Sequence, residues 1–472
     1  MNTFANAVIN QEARTDNGMK ARKSTANACV DLFYKAGASR GKNIVGDFVA
    51  ALVENEDIAL RIALWLRDAR GGAGERELFR QVLKYLETNR PELLTEKLLL
   101  AVPELGRWDD LLVFETVTFK TAVFSLIRKA LDSGNGLCAK WMPRKGVLAN
   151  QLRNAFGWSP KFYRKRLVEL TKVVETQMCA KQWDAINFSH VPSLASARYK
   201  KAFNRNTGKY AEYVMSLVKG DNPEVKVNAG AVFPYDVLKG LISSYSRSYD
   251  KVETDLIIKQ WEALPNFVGD ANILPLVDVS GSMTTNVGGS KSLNCLEVAV
   301  SLGLYLADKN SGAFKDTFLT FSGNPELLNL KGNVVQKITQ MSKSKWEMNT
   351  DLVKAMSKIL EVAVTGGVSQ EDMPKMLLIL SDMQFDECAK FDDSAMEMIK
   401  RQFTSAGYEV PLIVFWNLNS HDNVPVKHNA KGVALVSGFS PSIVKAVLAA
   451  NMEDFTPEAI MLKTVMQDKY AL

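Results

Sequence analysis

The segment at residues 272–286, NILPLVDVSGSMTTN, decides the fold class of the C-terminal part of the chain. An apolar run ends abruptly at Asp278, and Ser280 and Ser282 follow with Gly281 between them. A short apolar run bounded by polar residues is typical of a strand that is buried on both faces, as in a parallel sheet. Ligands of open α/β sheets bind at the carboxyl ends of the strands, so Asp278 and the two serines are candidate ligand residues.

The same pattern recurs along the rest of the C-terminal part. Four more short apolar runs end in polar turns: DTFLTFS, KMLLILSD, EVPLIVFWNL and GVALVSGF. Helical stretches alternate with them near residues 293–306, 351–362 and 394–403, and a last helix is expected to begin at Thr456. Strand–helix alternation with nearly continuous apolar strands predicts a doubly wound, Rossmann-like parallel sheet. We assign this α/β domain to residues 266–472.

The N-terminal part has a different periodicity. Apolar residues recur at helical spacing within residues 44–53, 78–86 and 119–131, and Gly- or Pro-containing breaks separate such runs. Amphipathic helices joined by short turns predict stacked helical pairs, as in an α-solenoid, although no clean repeat period is present. The predicted fold class is therefore α + α/β, with a helical-repeat domain over residues 1–265.

Two further polar positions belong with the first strand end. Thr350 precedes a predicted helix in NTDLVKA, and Asp382 follows a predicted strand in LLILSDMQFD. With Asp278, Ser280 and Ser282 they offer only oxygen ligands, which favour Mg²⁺, or another divalent cation, over zinc or copper. Because hydroxyls are neutral ligands, such an ion would keep affinity for a carboxylate or phosphate from a partner. We expect Gly281 to let the turn bend tightly enough for both serines to face the ion.

Charge is distributed unevenly along the chain. The net charge is +6, but residues 1–265 carry +11 and the remainder −5. Residues 140–209 alone hold 15 basic and 3 acidic residues. Such a local excess indicates a surface for a polyanion, although a solvated basic face on an ordinary soluble protein gives the same composition.

Aromatic residues are interleaved with these basic residues. Basic groups bind phosphates and aromatic rings stack on unpaired bases, so the pattern favours RNA. The alternative for the aromatic residues (Trp141, Trp158, Phe162, Tyr163, Tyr199 and Phe203) is packing between helices. The candidate RNA-binding residues are Lys140, Arg144, Lys145, Lys161, Arg164, Lys165, Arg166, Arg198, Lys200, Lys201 and Arg205.

Composition excludes several classes of protein. No apolar run is long enough for a membrane helix, and the N-terminus has no secretory-signal pattern. Five scattered cysteines suit reduced thiols, so we expect a cytoplasmic protein without membrane contact. The sequence contains no G-x-x-x-x-G-K-[ST] motif, which excludes a P-loop nucleotide site. We expect no enzymatic activity, because the candidate site has no placed general base and does not resemble a two-metal nuclease.

These motifs resemble known families. The order DxSxS, Thr, Asp resembles the metal-ion-dependent adhesion site of von Willebrand factor A (vWA) domains, which implies that Ser280, Ser282 and Thr350 are hydroxyl ligands and that Asp278 and Asp382 bind directly or through water. The sequence before Thr350, EMNT, lacks the glycines common there. The helical half followed by this domain is similar to the Ro autoantigen, or TROVE, family, in which a ring of HEAT-like helical pairs is closed by an A-type domain and binds RNA.

Three stretches look closer still to uncharacterised bacterial, viral and plant relatives of Ro. They are LRDARGGAGERELFR, VPELGRWDDLL and SDMQFD. The resemblance implies an RNA-binding ribonucleoprotein component that takes single-stranded ends or small structured RNAs, with a Mg²⁺-dependent vWA partner site. The alternative is a protein-interaction module that uses the metal site to capture an acidic partner residue without RNA. A metal-dependent hydrolase is the third and least supported reading.

Overall fold

A computed structural model describes residues 12–171, 173–228, 232–242, 251–288, 290, 293–321, 324–342, 351–386, 395–450 and 454–472 of the 472-residue chain. Its N-terminal half is helical, as predicted. The helices of this half are α1 (Ala28–Ala36), α2 (Val45–Glu54), α3 (Glu56–Arg67), α4 (Arg76–Asn89), α5 (Glu96–Leu105), α6 (Val117–Asp132), α7 (Gly136–Trp141), α8 (Val147–Ala155), α9 (Pro160–Leu170), α10 (Val174–Cys179), α11 (Ser193–Asn206), α12 (Lys209–Lys219), α13 (Pro234–Ile242) and α14 (Lys251–Glu262). Successive helices pack side by side, α1 on α2, α2 on α3 and α3 on α4.

The C-terminal half is a six-stranded sheet with helices. Its helices are α15 (Cys295–Lys309), α16 (Val334–Ser342), α17 (Leu352–Gly366), α18 (Ala395–Ser405), α19 (Val444–Leu448) and α20 (Pro457–Val465). Its strands are β3 (Ile273–Asp278), β4 (Thr317–Phe321), β5 (Leu327–Asn329), β6 (Met376–Ser381), β7 (Leu412–Asn417) and β8 (Val433–Ser437). The order is β5-β4-β3-β6-β7-β8, and every pair is parallel except β4 with β5. The predicted fold class, α + α/β, is confirmed.

All five predicted apolar runs form strands of this sheet. Two features were not predicted: the short antiparallel edge strand β5, and an N-terminal hairpin of β1 (Glu12–Arg14) and β2 (Lys20–Arg22). The three residues of β5 alternate between exposed and half-buried, so they carry no continuous apolar signal. The predicted C-terminal helix begins where expected, because Thr456 accepts a hydrogen bond from the backbone N–H of Ala459 as an N-cap.

The N-terminal segment and α1 pack directly on the sheet. The Ser437 hydroxyl, at the end of β8, donates to the Phe33 carbonyl at 2.8 Å and accepts from the Gly37 N–H at 3.0 Å. Arg22 forms an isolated β-bridge with Val424, which follows β7. One apolar core contains residues from both halves. The division at residues 265 and 266 therefore stays a prediction based on the change of periodicity.

A smaller apolar core lies apart from the main one. It is formed by α10, α11, α12, residues 186–191 between α10 and α11, and Leu256 of α14. The rings of Phe188, Phe203 and Tyr210 are in mutual contact at centroid distances of 5.0–5.2 Å. The basic segment at residues 140–209 thus runs across two packing units: α7 to α9 belong to the main core, and α10 to α12 to the smaller one.

The turn between α3 and α4, in RDARGGAGERE, is hydrogen-bonded to the C-terminal residues of the chain. Asp68 is buried and accepts hydrogen bonds from the Tyr470 hydroxyl (2.8 Å), the Lys469 ammonium (2.7 Å) and the Arg70 N–H (2.9 Å). The turn therefore ties the helical half to the C-terminal residues of the chain. The residue of this turn that has a left-handed backbone conformation is Gly74, with φ +74°.

No helix within the described parts of the chain is both long and apolar enough to cross a membrane.

Candidate functional site

Two carboxylates lie at the carboxyl ends of the central strands. Asp278 ends β3 and Asp382 follows β6, and these strands are paired in parallel. Both residues are almost completely buried, with 0% and 2% of their surface exposed. Asp278 accepts hydrogen bonds from the Ser381 hydroxyl at 2.5 Å and from the Ser280 N–H at 2.9 Å. The structure therefore brings together the two aspartates that the sequence placed at strand ends.

The two serines of the DxSxS motif lie beside these carboxylates. The hydroxyl oxygens of Ser280 and Ser282 are 3.0 Å apart, and the Ser282 hydroxyl forms a hydrogen bond with Asp382. Ser280 is buried, whereas Ser282 is half-buried and gives the cluster its contact with the surface. Gly281 opens a 3₁₀ turn, Gly281–Thr284, and is not among the residues with positive φ. The close approach of the serines therefore comes from the 3₁₀ turn.

Thr350, the fifth predicted ligand, lies outside the described residues. Its neighbour Asp351 is the N-cap of α17, where its carboxylate accepts from the Lys354 N–H at 2.9 Å. The helix that was predicted to follow the threonine is therefore present, while the role of Thr350 stays a prediction.

Because the two carboxyl groups are buried side by side, ionising both of them without a cation costs free energy. Loss of hydration and then the charge of Asp382 raise the pKa of Asp278 to about 7. The pKa of Asp382 is also raised, chiefly by burial. A divalent cation would remove this repulsion, and four oxygen-bearing side chains surround the position.

The donor set fits Mg²⁺ better than a nitrogen- or sulfur-preferring metal. Within the described ranges, no group of three or more Asp, Glu, His or Cys side chains is arranged to hold a metal. Two carboxylates with hydroxyls are all-oxygen ligands, which suit a cation that keeps some of its waters. The metal set of Asp278, Ser280, Ser282, Thr350 and Asp382 stays a prediction that the geometry of four of its members fits.

The loop after β6 is held by a strained residue and by the N-terminal segment. Met383 has φ +65°, a conformation that is costly for a bulky side chain, and its N–H donates to Ser381 Oγ at 2.9 Å. Thr15 donates through its hydroxyl to the Phe385 carbonyl at 2.6 Å, and the Asp16 N–H donates to Gln384 Oε1 at 2.6 Å. Residues from opposite ends of the sequence thus fix the backbone around Asp382.

Ser381 is a site residue that the sequence reasoning missed. Its hydroxyl orients Asp278 and also holds the Met383 N–H. The sequence does contain a signal for it, because Ser381 stands directly before the strand-end aspartate in LLILSD. Lys42, His421 and Asp16, which lie around the site, come from distant segments and carry no sequence signal.

The predicted RNA-binding residues lie mostly on the surface. Nine are exposed and two, Arg166 and Lys200, are half-buried. Arg166 donates to the Leu131 carbonyl at 2.8 Å and Lys200 pairs with Glu253 at 2.9 Å, so both have structural roles. The exposed nine are Lys140, Arg144, Lys145, Lys161, Arg164, Lys165, Arg198, Lys201 and Arg205.

The aromatic residues of the same segment are mainly structural. Tyr163 and Phe203 are buried, and the Trp141 ring is covered by the Arg107 guanidinium at 3.3 Å from its centroid. Trp158 is half-buried against Phe162, with ring centroids 5.1 Å apart. Phe162 keeps 50% of its surface exposed and is the aromatic residue of this set best placed to contact a base.

A groove of about 1000 Å³ adjoins this basic surface. It lies between the α7–α9 unit and the α10–α11 unit, and Lys140, Thr171 and His190 are among its lining residues. Exposed apolar side chains, Leu137 and Val168, also line it. Glu169 and Glu175 line it too, so the groove combines one lysine and two glutamates with apolar and backbone surfaces.

In comparisons with known proteins, two family models match different parts of the chain. A model described as domain of unknown function DUF7788 matches residues 272–470. A second, domain of unknown function DUF2828, matches residues 15–110 and 149–271. An uncharacterised protein of Acanthamoeba polyphaga mimivirus is 29% identical over 95% of this chain and 86% of its own length. Among solved structures, the Ro (RSR) protein of Deinococcus radiodurans covers 93% of both chains at 15% identity, with a TM-score of 0.37.

Proposed function

We propose that the protein is an RNA-binding component of a ribonucleoprotein, with a Mg²⁺-dependent partner site in its α/β half. The observation that carries the RNA proposal is the exposed basic surface of residues 140–209. A chain does not need so many exposed cations on one segment for folding, and phosphate groups are the partners that such a surface binds best. The resemblance of a helical half followed by a vWA-like domain to the Ro family supports the same proposal.

Single-stranded RNA suits the geometry better than a regular duplex. The groove beside Lys140 has a volume of about 1000 Å³ and a partly apolar lining, and Phe162 is exposed near Lys161 and Lys165. Unpaired bases can stack on an exposed ring while their phosphates contact the lysines, whereas bases within a duplex are not available for stacking.

Fluorescence anisotropy with a labelled single-stranded RNA tests this proposal. Charge reversal at Lys161, Arg164 and Lys165 is expected to weaken binding at least tenfold and to reduce the slope of log affinity against log salt by about two, since each lost phosphate contact contributes about 0.7. The matched control reverses three exposed lysines of the other half, Lys427, Lys431 and Lys463. Equal losses in both triple variants would show that only net charge matters, and no loss in either would refute the RNA proposal.

The second candidate is a protein-interaction module built on the metal site. It is supported by the buried pair of Asp278 and Asp382, because two neighbouring carboxylates attract a cation and repel the phosphates of a nucleic acid. The two functions are separable. Asp278→Asn is expected to remove Mg²⁺ binding and leave RNA affinity within about twofold, because the basic segment lies in the other half. Loss of RNA binding in that variant would mean that the metal site and the RNA surface act together.

A further inference from the structure

Lys42 brings a positive charge from the helical half to the candidate metal site. Its Nζ donates to the Ser420 carbonyl and to Asn419 Oδ1, the latter at 3.2 Å. Both residues follow β7, the strand next to β6. The carboxylate of Asp422 and, more weakly, that of Asp382 act electrostatically on the Lys42 ammonium, and no ion pair joins Lys42 to Asp382 among the described contacts.

The loop that carries Lys42 is anchored on the α/β half. Gly41 packs so closely on Gly288 that an added Cβ would lie 2.7 Å from the Gly288 Cα. The Ser420 N–H donates to the Ala38 carbonyl at 3.0 Å. Gly288 belongs to the loop that follows the two serines of the site, so the position of Lys42 is coupled to the same backbone that would hold the metal.

An ammonium in this position does not act as a metal ligand, because it repels a divalent cation. Two cations held side by side instead attract one anion between them, and each can contact a different oxygen of it. A carboxylate has two oxygens and a single charge, which matches one metal position and one ammonium. The Asp16 carboxylate, 3.8 Å from His421 Nδ1 at the edge of the site, disfavours a doubly charged phosphate.

We propose that Lys42 is the second cation of a composite anion site, in which it and the metal bind the carboxylate of an aspartate or glutamate of a protein partner. This inference rests on the Mg²⁺ site of the proposed function. It adds a binding residue from the helical half to that site. It also explains why the α1–α2 loop is fixed so tightly to the domain that supplies Asp278, Ser280 and Asp382.

The test compares wild type, Lys42→Met and Lys42→Arg in two titrations. In calorimetric titration with Mg²⁺ alone, Lys42→Met is expected to bind the ion about threefold more tightly, because a neighbouring positive charge is gone. In an anisotropy titration with Mg²⁺ present, a fluorescein-labelled decapeptide of alternating glycine and glutamate should bind Lys42→Met about tenfold more weakly. Lys42→Arg should stay within about twofold of wild type in both.

Tighter Mg²⁺ binding together with weaker peptide binding separates an anion-binding role of Lys42 from a structural one, because a disturbed loop would weaken the binding of both. Matched controls are Lys35→Met, which removes a half-buried lysine of the same half, and a glycine–glutamine decapeptide. If Lys42→Met leaves the affinities for Mg²⁺ and for the peptide unchanged, or weakens both, the inference is overturned and the proposed metal site is unaffected. Absence of Mg²⁺ binding in wild type overturns the metal part of the proposed function and this inference with it. Stronger competition by inorganic phosphate than by acetate would overturn the carboxylate assignment.

Discussion

The metal-free protein should lose stability as the pH rises, and Asp278 should be the cause. The pKa of this buried carboxyl is raised from an ordinary value of 3.8 to about 7. Between these two values the folded protein keeps a proton that the unfolded chain releases, so folding is favoured at the acidic end of the window. The stability falls as the pH rises, and the loss is complete above about pH 7.

The size of this stability loss follows from the rise in the pKa of Asp278. About 3 pH units at 1.36 kcal/mol each correspond to roughly 4 kcal/mol, of which about 3 kcal/mol falls between pH 5 and pH 8. Asp278→Asn has a similar shape and no titrating proton, so it should remove most of this pH dependence and be the more stable protein at pH 8.

Urea unfolding at pH 5 and pH 8 in the presence of EDTA measures this pH dependence of the stability. The control is Asp221→Asn, which changes an exposed aspartate on the loop after α12 and should follow wild type. The same pH dependence in Asp278→Asn and wild type would refute the reasoning, because the loss would then come from other groups. With Mg²⁺ added, the wild-type protein should regain stability at pH 8, where both carboxylates are ionised and available to the ion.

The remaining predictions concern other parts of the chain. Asp110→Ala should destabilise the protein by about 3–5 kcal/mol in urea unfolding, because it leaves the buried guanidinium of Arg67 without its partner at 2.7 Å; an effect below about 1 kcal/mol would contradict this. Phe162→Ala should weaken single-stranded RNA binding by about 1–3 kcal/mol in anisotropy while Val147→Ala, another exposed apolar change, leaves it unaltered. Gly288→Ala should lower Mg²⁺ affinity in calorimetry, since its Cβ would lie 2.3 Å from the Arg40 carbonyl oxygen; unchanged affinity would show that the loop adapts.

The sequence predicted the fold well where the signal was local. The apolar run before Asp278 and four similar runs are enough to identify a parallel sheet, because buried strands are apolar along their whole length. The edge strand β5 was not predicted, since its three residues have no such run. The hairpin of β1 and β2 was also missed, because part of its pairing is with residues near the other end of the chain, including Val424.

The candidate site was predicted only as far as its motif residues. DxSxS and a strand-end aspartate can be read from spacing, because parallel strands place their carboxyl ends at one edge. The contributions of Lys42 and Asp16 depend on how the helical half packs against the sheet, and no periodicity in the sequence encodes that packing. The same limit applies to the aromatic residues of the basic segment: spacing alone did not show that Tyr163 is buried while Phe162 is exposed.

The candidate site combines residues from both halves of the chain. Asp278 and Asp382 come from the sheet, whereas the cation at Lys42 and the segment that fixes the Asp382 loop come from the helical half. A partner that bound both the metal and Lys42 would therefore contact both halves, and a shift of α1 against β8 would move Lys42 relative to the carboxylates. Because α1 and the basic helices α7 to α9 share one core, such a shift offers a route by which RNA on one surface could alter partner binding at the other. Measuring Mg²⁺ affinity with and without bound RNA decides whether that coupling exists: a change of threefold or more requires it, and equal affinities exclude it.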